Sequence, residues 1–405
     1  MQGLKTSRFP TLVFALVVCG ISSALAQSTT EPIKIGDINS YTTFAAFTQP
    51  YRSGADLAVE QINAAGGVNG RKLQVIYRDD AGKPDEAVKQ AEELVSNEKV
   101  ALLAGTFLSS TGLALSDFAA RRQKVAVIGI PISDAIIWEK GNRYTFHIPP
   151  TTDMHTRLLA KAAAQLPAKR WATIAPNYEF GTSFVAGFKT HLSKLRPDIQ
   201  WVSEQWPALG KLNAGPIVDA INASRPDAIF NATFGADLVR LVREGTVRNF
   251  FKDRSVVSAI TGKPEYLDPM SEAPPVGWIV SGYPWYAIKL PEHQAFVAAY
   301  QAKYNDYPRE ASVYGYITYK FLAAGLAKAG STDTDKLIAA FEGLKFETPL
   351  GPAEMRAADH QTDLPVYIGT VAIKDGKPIM ADVQEEAGAK LLPSQAEARK
   401  LRPAQ

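Results

Sequence analysis

The feature that most constrains the fold of this sequence is a regular alternation of short apolar segments with amphipathic ones. Residues 100–103 and 125–128 are wholly apolar, and residues 112–121 between them carry apolar side chains at helical spacing. Short strands without polar alternation are typical of a parallel sheet that is covered on both faces. This alternation predicts an α/β fold built on doubly wound sheets.

The alternation begins at residue 33 and restarts after Pro149-Pro150. A single hydrophobic core rarely grows beyond about 250–300 residues, and this chain has 405 residues, so we expect two doubly wound α/β lobes. The remaining predicted strands are 33–38, 72–77, 171–174, 200–202, 227–230, 255–258 and 278–280, and the remaining predicted helices are 51–65, one that opens at Pro84, 153–166, 181–195, 214–223, 235–245, 292–304, 312–328 and 334–342. Short strands should follow to about residue 373, and the last thirty residues are predicted to be a solvated tail or a terminal helix.

The N-terminus is typical of an exported protein. Lys5 and Arg8 precede an apolar run over residues 11–21, and Ala24-Leu-Ala26 follows as a cleavage site. The run is shorter than the roughly 20 residues that a membrane span needs. The only cysteine, Cys19, lies in this run behind Val18, where lipoprotein processing requires a small residue. We therefore predict a cleaved signal peptide over residues 1–26, no lipid anchor, and a mature chain without thiols.

Composition and charge exclude several classes of protein. With 46% hydrophobic and 21% charged residues, the chain is neither disordered nor a multi-span membrane protein. The formal net charge is +3, and Lys and Arg are not concentrated in any segment. A nucleic-acid-binding surface would need such a concentration, so we expect no nucleic-acid partner.

Motifs of catalysis are missing from the sequence. There is no phosphate-binding loop, and Gly181-Thr-Ser183 lacks the closing glycine of a hydrolase nucleophile elbow. No two of the five histidines have helical ligand spacing, so we expect no metal site and no cofactor. The acidic pair Asp79-Asp80 could hold a general acid, but such pairs more often cap a loop. We expect no enzyme, and a secreted hydrolase is kept as the alternative.

Two polar loops follow predicted strands. Residues 105–112 place Ser109, Ser110 and Thr111 at the start of a helix, and residues 129–134 end in Ser-Asp. Open α/β sheets bind ligands beyond the carboxyl ends of their strands, and a helix N-terminus suits a carboxylate. Simple helix capping explains the same residues equally well. From these residues alone, both interpretations stand.

A family resemblance favours ligand binding. Residues 54–70, Gly-Ala-Asp-Leu-Ala-Val-Glu-Gln-Ile-Asn-Ala-Ala-Gly-Gly-Val-Asn-Gly, resemble the leucine/isoleucine/valine-binding proteins, as do Tyr77-Arg-Asp-Asp80, Gly105-Thr-Phe-Leu-Ser109, Phe234-Gly-Ala-Asp237 and Tyr314-Gly-Tyr-Ile-Thr-Tyr319. These proteins are periplasmic receptors of ABC importers with the type I periplasmic-binding-protein fold. The resemblance covers the mature chain and implies a monomer in the periplasm that closes two lobes around a small ligand and delivers it to a membrane permease. A ligand sensor without transport is a further alternative.

The resemblance also implies lobe boundaries. Three hinge crossings are expected near residues 148, 282 and 352. Lobe 1 would then comprise residues 27–148 and 283–352, and lobe 2 residues 149–282 and 353–390, followed by a C-terminal tail over 391–405.

By the family pattern, Ser109 should hold a ligand carboxylate with its hydroxyl and backbone N–H. The carbonyl of Ile132 and the hydroxyl of Ser133 should face the α-substituent, while Tyr314 lines the pocket from lobe 1. Phe180 and Phe234 should close over the ligand from lobe 2. The remaining residues expected at the ligand are Phe107, Ser110 and Thr261.

This sequence departs from the family pattern in the loop 258–265. Amino-acid receptors usually bring an acid there to the ligand's ammonium group, but the loop reads Ser-Ala-Ile-Thr-Gly-Lys-Pro-Glu, and its only acid, Glu265, comes about four positions late. A buried ammonium without a counter-charge costs several kcal/mol. With Phe44 and Phe107 beside the two lobe 2 phenylalanines as candidate walls, the sequence suggests an aromatic or otherwise apolar carboxylate as ligand. A branched-chain or other amino acid is the equal alternative.

Overall fold

Two sheets of mainly parallel strands organise the chain. The computed structural model describes residues 1–4 and 31–403. The expected signal peptide, with Cys19 and the cleavage site after Ala26, lies outside the described residues except for its first four. The account below concerns the unit that begins at Pro32.

The first sheet holds five parallel strands. Its strands are β1 (Ile33–Asn39), β2 (Leu73–Asp79), β3 (Leu102–Gly105), β4 (Ala126–Ile128) and β5 (Thr145–His147). Their spatial order is β2-β1-β3-β4-β5. Three helices connect them: α1 (Ala45–Ala64), α2 (Pro84–Ser96) and α3 (Ser109–Arg122). This order, with β1 between β2 and β3, is that of a doubly wound sheet.

The second sheet holds seven strands. The strands of the rest of the chain are β6 (Arg170–Ile174), β7 (Gln200–Gln205), β8 (Ala228–Asn231), β9 (Ser255–Gly262), β10 (Ile279–Gly282), β11 (Lys345–Thr348), β12 (Gly351–Glu354), β13 (Val366–Lys374) and β14 (Lys377–Glu386). The second sheet has the order β14-β13-β10-β9-β8-β6-β7, while β11 and β12 form a separate hairpin. Strands β13 and β14 are antiparallel additions to a parallel sheet.

The helices that follow β5 are α4 (Thr152–Ala163), α5 (Glu179–Leu195), α6 (Ala214–Ser224), α7 (Gly235–Val247), α8 (Pro264–Leu267), α9 (Pro291–Tyr304), α10 (Glu310–Ala329), α11 (Thr334–Phe341), α12 (Gly388–Leu391) and α13 (Gln395–Leu401). Short 3-10 helices lie at Asp134–Ile136 and Asp268–Met270. No helix of the described residues is both long and apolar enough to cross a membrane.

The structure corrects three sequence predictions. The solvated tail is wrong for residues 377–386, because they form β14, an edge strand whose Lys and Glu side chains suit exposure to water. Helix α1 starts six residues before the predicted position and contains Pro50. Helix α3 starts at Ser109, three residues early, because no glycine or proline interrupts residues 109–111. This early start places Ser109 in the first helical turn.

Helices α1 and α10 are joined by an unusually close contact. A Cβ atom on Gly54 would lie 1.8 Å from the carbonyl oxygen of Ser312, and one on Gly315 would lie 2.0 Å from that of Tyr51. Only glycine permits the two backbones to approach this closely. The chain therefore returns to the first sheet after β10, although 200 and more residues separate the two helices.

A buried carboxyl group connects the same elements. Asp37 at the end of β1 accepts hydrogen bonds from the hydroxyls of Tyr41 (2.7 Å), Tyr319 (2.9 Å) and Tyr51 (3.3 Å). Burial raises the pKa of Asp37 to about 6, although the three tyrosine hydrogen bonds oppose that rise. The cluster links β1 to α1 and α10 beneath the loops that follow β3 and β4.

The contact between α1 and α10 generates a prediction. Gly54→Ala should lower the free energy of unfolding by about 3 kcal/mol, because the new methyl group meets rigid backbone. Urea denaturation measures this loss. Gly215→Ala in α6 is the matched control, since its methyl group would meet only the flexible ends of Arg248 and Glu244, at 3.4 and 3.9 Å. Equal stability of the two variants would contradict the proposed close contact.

Candidate functional site

A small cavity lies where the carboxyl ends of strands from both sheets face each other. Its lining residues come from the segments after β3, β4, β6 and β8 and from β9 through α8: Phe107, Ser109, Ile130, Ile132, Tyr178, Phe180, Phe234, Ile260, Lys263 and Tyr266. We call this the inner cavity. Its volume is about 30 Å³, little more than one water molecule occupies, so its walls have to move apart to admit an organic ligand.

Ser109 is the polar group that the first sheet contributes. It begins α3, it is 1% exposed, and its hydroxyl forms no hydrogen bond with the described residues. No side chain caps the first turn of α3, because the N-cap position is occupied by Leu108. The free amides of a first helical turn favour a negatively charged group. Gly105, with φ +107°, bends the loop toward this turn.

Aromatic rings from both sheets meet around the cavity. Phe107 stacks on Phe47 with centroids 5.1 Å apart and meets Phe234 edge-on at 6.3 Å. Phe234 in turn contacts Phe180 at 5.3 Å, and Tyr266 contacts Phe47 at 5.3 Å. Edge-on and offset contacts of this kind stabilise aromatic pairs beyond the area they bury. The cavity therefore has walls suited to an apolar or planar ligand.

Lys263 is the only charged residue among the ten that line the inner cavity. It is 6% exposed and forms a buried ion pair with Glu310 at the start of α10. Burial, followed by the nearby charge of Glu265, raises the pKa of Glu310 to about 7, and Lys263 opposes the rise. Glu265 accepts a hydrogen bond from the amide of Ala311 (2.9 Å), and burial raises its pKa as well.

Five of the nine expected residues line the inner cavity: Phe107, Ser109, Ile132, Phe180 and Phe234. The other four, Ser110, Ser133, Thr261 and Tyr314, lie outside its lining. Ser133 donates a hydrogen bond to Glu179 (2.7 Å), and Thr261 shares one with Ser258 (2.7 Å). Tyr314 lines a separate cavity of about 10 Å³, and Ser110 is half-buried in the first turn of α3.

The sequence analysis missed five lining residues, Ile130, Tyr178, Ile260, Lys263 and Tyr266. All five lie within, or at most two residues from, a segment that the sequence analysis names. Ile130 belongs to the loop 129–134, and Tyr178 precedes Phe180 by two residues. The segment 258–265, expected as a loop, instead forms the end of β9 and the start of α8. It contains Ile260 and Lys263, so it supplies a cation to the lining where an acid was the expected group, and Tyr266 directly follows it.

The acidic pair Asp79-Asp80 serves the following turn. Asp79 accepts a hydrogen bond from the amide of Ala81 (3.1 Å), and Asp80 accepts one from that of Gly82 (2.8 Å). Four of the five histidines are buried, and the described residues contain no group of histidines, cysteines or acids that could hold a metal ion.

Phe234 separates the inner cavity from a larger opening. A crevice of about 480 Å³ is lined by Phe234 and Gly235 on one side and by residues 43–47 at the start of α1 on the other. Phe234 is the residue that the linings of the two spaces share.

The chain belongs to the periplasmic binding protein family, whose model matches residues 32–377. Among curated relatives, it is 26% identical over 365 residues to an amino acid binding protein of Pseudomonas aeruginosa, covering 87% of this chain and 93% of that protein. It is 25% identical over 361 residues to the leucine-, isoleucine-, valine-, threonine- and alanine-binding protein of the same species, covering 85% and 91%.

Solved structures share the fold. A solute-binding protein of an ABC transporter from Rhodopseudomonas palustris BisB5, in complex with 3,4-dihydroxybenzoic acid, aligns with a TM-score of 0.78 at 24% identity and covers 88% of this chain and 98% of that one. The closed form of the leucine-, isoleucine-, valine-, threonine- and alanine-binding protein from Brucella ovis aligns at 0.79 with 19% identity, covering 90% and 97%.

These findings confirm the expected family and the type I periplasmic-binding-protein fold. Members of the family are solute-binding receptors of ABC transporters and not enzymes, so the expectation of a non-enzymatic protein is confirmed too. The chain is thus a periplasmic binding protein of the ABC-transporter type, similar in sequence to amino-acid-binding proteins and in fold to solute-binding proteins solved with aromatic acids.

The buried charges of the site generate a prediction. Lys263→Met leaves Glu310 and Glu265 without a counter-charge and should lower the free energy of unfolding by about 3–5 kcal/mol at about pH 8. When a carboxyl group has a raised pKa in the folded protein, the folded protein becomes less stable as the pH rises through that pKa. The loss of unfolding free energy in the variant should therefore be smaller near about pH 5 than near about pH 8. Urea denaturation over this pH range measures the effect.

The double variant Lys263→Met/Glu310→Gln is the control for this experiment. Because it removes one of the two unpaired acids, it should recover part of the stability near pH 8. A deficit that stays constant with pH, or a double variant no more stable than the single one, would show that the lost stability has no electrostatic origin.

Proposed function

We propose that this protein captures a small apolar or aromatic carboxylate, without an ammonium group, in the inner cavity. The observation that carries the proposal is the charge of the cavity lining: its only charged residue is the cation Lys263, and all but two of the ten lining side chains are aliphatic or aromatic. A pocket with mostly apolar walls and a few fixed polar groups is typical of small-molecule sites.

Ser109 would receive the carboxylate. Its hydroxyl and the uncapped amides of the first turn of α3 are donors for which residues 31–403 supply no side-chain acceptor. A carboxylate placed there would satisfy them with charge-assisted hydrogen bonds, which are about twice as strong as neutral ones. The rings of Phe107, Phe180 and Phe234 would then enclose the body of the ligand.

The lining of the inner cavity disfavours an amino acid. None of its ten residues is an acid, so an α-ammonium group placed there would find no counter-charge in the lining. The nearest acids are already engaged, since Glu310 pairs with Lys263 and Glu265 accepts the Ala311 amide. Several aligned structures carry ligands of the favoured class, among them R. palustris solute-binding proteins in complex with 4-hydroxybenzoate and benzoate.

Capture would proceed by closure of two lobes around the ligand, at hinges near residues 148, 282 and 352. Lobe 1 would comprise residues 27–148 and 283–352, and lobe 2 residues 149–282 and 353–390. Strands β1 to β5 on one side and β6 to β10 with β13 and β14 on the other support this division. Contacts that would break on opening include Ser133 to Glu179 and Lys263 to Glu310. The closed monomer would dock on a membrane permease after export to the periplasm by the peptide 1–26.

A branched-chain or other amino acid is the second candidate. One oxygen of the buried Glu265 carboxylate has no hydrogen-bond partner among the described residues, and an ammonium group would supply one. The curated relatives named as amino-acid-binding proteins favour the same ligand class. Glu265 does not line the inner cavity, so this ligand requires a shift of α8.

Calorimetry with a matched pair of ligands separates the two candidates. Phenylalanine and 3-phenylpropanoate differ only in the α-ammonium group, and we expect 3-phenylpropanoate to bind at least about tenfold more tightly. Benzoate and 4-hydroxybenzoate should also bind, and leucine should bind weakly. Micromolar leucine or phenylalanine binding, with the aromatic acids inert, would refute the proposed ligand class and favour the amino acid.

Ser109→Ala tests the carboxylate position. The variant should weaken binding of the preferred acid by about 1–3 kcal/mol, the cost of an unmet charged hydrogen bond. Ser110→Ala is the matched control, because Ser110 lies in the same turn outside the cavity lining. Unchanged affinity in Ser109→Ala, or an equal loss in both variants, would remove Ser109 from the site.

A further inference from the structure

A second, larger cavity lies beside α8, which also borders the inner cavity. It has a volume of about 500 Å³, and its lining includes Pro264, Leu267, Trp285, Tyr307 and Lys377. We call it the outer cavity. Its volume falls in the range of about 300–1,000 Å³ that is usual for small-molecule sites. Its lining shares no residue with that of the inner cavity.

Aromatic rings held in place by neighbours form one wall of the outer cavity. Trp285 and Tyr307 stack nearly parallel, with centroids 5.1 Å apart and planes at 12°. Tyr286 meets Trp285 edge-on at 5.8 Å, and its hydroxyl donates to the carbonyl of Met380 (2.8 Å) and accepts from the Met380 amide (2.7 Å). The wall is therefore preorganised, which reduces the entropy lost when a planar ligand stacks on it.

The one carboxylate in the lining of this cavity, Asp268, already has a counter-charge. Asp268 accepts a hydrogen bond from the Tyr307 hydroxyl (2.8 Å) and forms an ion pair with Arg309 (3.2 Å). Arg309 also pairs with Asp306 (2.7 Å) and lies over the Tyr307 ring. A cationic ligand would find no free carboxylate here, and Arg309 already occupies one aromatic face.

Three polar side chains of the lining can donate hydrogen bonds. The Lys377 ammonium, the Trp285 indole N–H and the Ser271 hydroxyl form no hydrogen bond or ion pair with the described part of the chain, and the Lys377 charge acts on Asp268 only at longer range. Donors beside a stacked aromatic wall suit a ligand with a planar apolar body and an anionic acceptor group.

We propose that the outer cavity is a second ligand site that binds a planar aromatic carboxylate, with the ring against Trp285 and the carboxylate at Lys377. The α8 segment connects this site to the inner cavity, because Pro264 and Leu267 line the outer cavity while Lys263 and Tyr266 line the inner one. An occupant would therefore hold α8 in place and change affinity at the inner cavity, and the coupling would be reciprocal.

The test uses 2-naphthoate as the probe and protein labelled with 5-fluorotryptophan. The Trp285 resonance is assigned by its loss in Trp285→Phe, and we expect it to shift saturably as 2-naphthoate is added. Lys377→Met should weaken this response about tenfold, because a charge-assisted contact is removed. Lys374→Met is the matched control, since Lys374 pairs with Lys377 across the same hairpin and does not line the cavity.

Two further measurements distinguish binding at the outer cavity from binding at the inner cavity, and an anionic ligand from a cationic one. Ser109→Ala should still give a saturable Trp285 response to 2-naphthoate that Lys377→Met weakens, shifted only by the coupling through α8, so failure of the inner-site proposal does not abolish the response. Tetramethylammonium should leave the resonance unmoved. The proposal is overturned if 2-naphthoate causes no shift up to about 5 mM, if Lys377→Met and Lys374→Met respond alike, or if tetramethylammonium shifts the resonance instead.

Discussion

The carboxyl ends of parallel strands all lie at the same edge of a sheet, and the inner cavity lies where these edges of the two sheets face each other. The loops after β3 and β4 in the first sheet and the segments after β6, β8 and β9 in the second converge on one small volume. Residues as distant in the chain as Phe107 and Phe234 thereby come into ring contact. The strands that build the sheets contribute no charged side chain to the cavity, but their direction decides which loops meet there.

The charge in this volume has a structural cost that the neighbouring elements offset. Lys263 is nearly inaccessible to water, and an unpaired ammonium there would be strongly destabilising. Glu310, at the start of α10, supplies the counter-charge, and α10 itself is held to the first sheet by its glycine contact with α1. The ion pair therefore links the segment after β9 to an element of the first sheet. The charge at the cavity wall therefore depends on a cation that follows a strand of the second sheet and on an acid from a helix packed on the first.

The α8 segment is the common wall of two spaces with different character. Toward the inner cavity it presents Lys263, which directly precedes it, and Tyr266, and toward the outer cavity Pro264 and Leu267. The outer cavity has a volume of about 500 Å³, whereas the inner one, beside the rings of Phe107, Phe180 and Phe234, has about 30 Å³. In the lobe closure that we propose, a short helix shared in this way would transmit occupancy of one space to the other.

The sequence by itself determined the fold class and the family, because strand and helix periodicity and short motifs are local properties of the chain. The family resemblance also predicted Ser109, Ile132 and three phenylalanines as ligand residues, and these five line the inner cavity. Only the tertiary structure decided that Lys263 and Tyr266 line the cavity and that Thr261 and Tyr314 lie outside its lining. Which side of a short helix faces a cavity, and which acid pairs with a buried lysine 47 residues away, depend on how two sheets pack, and no local pattern encodes that packing.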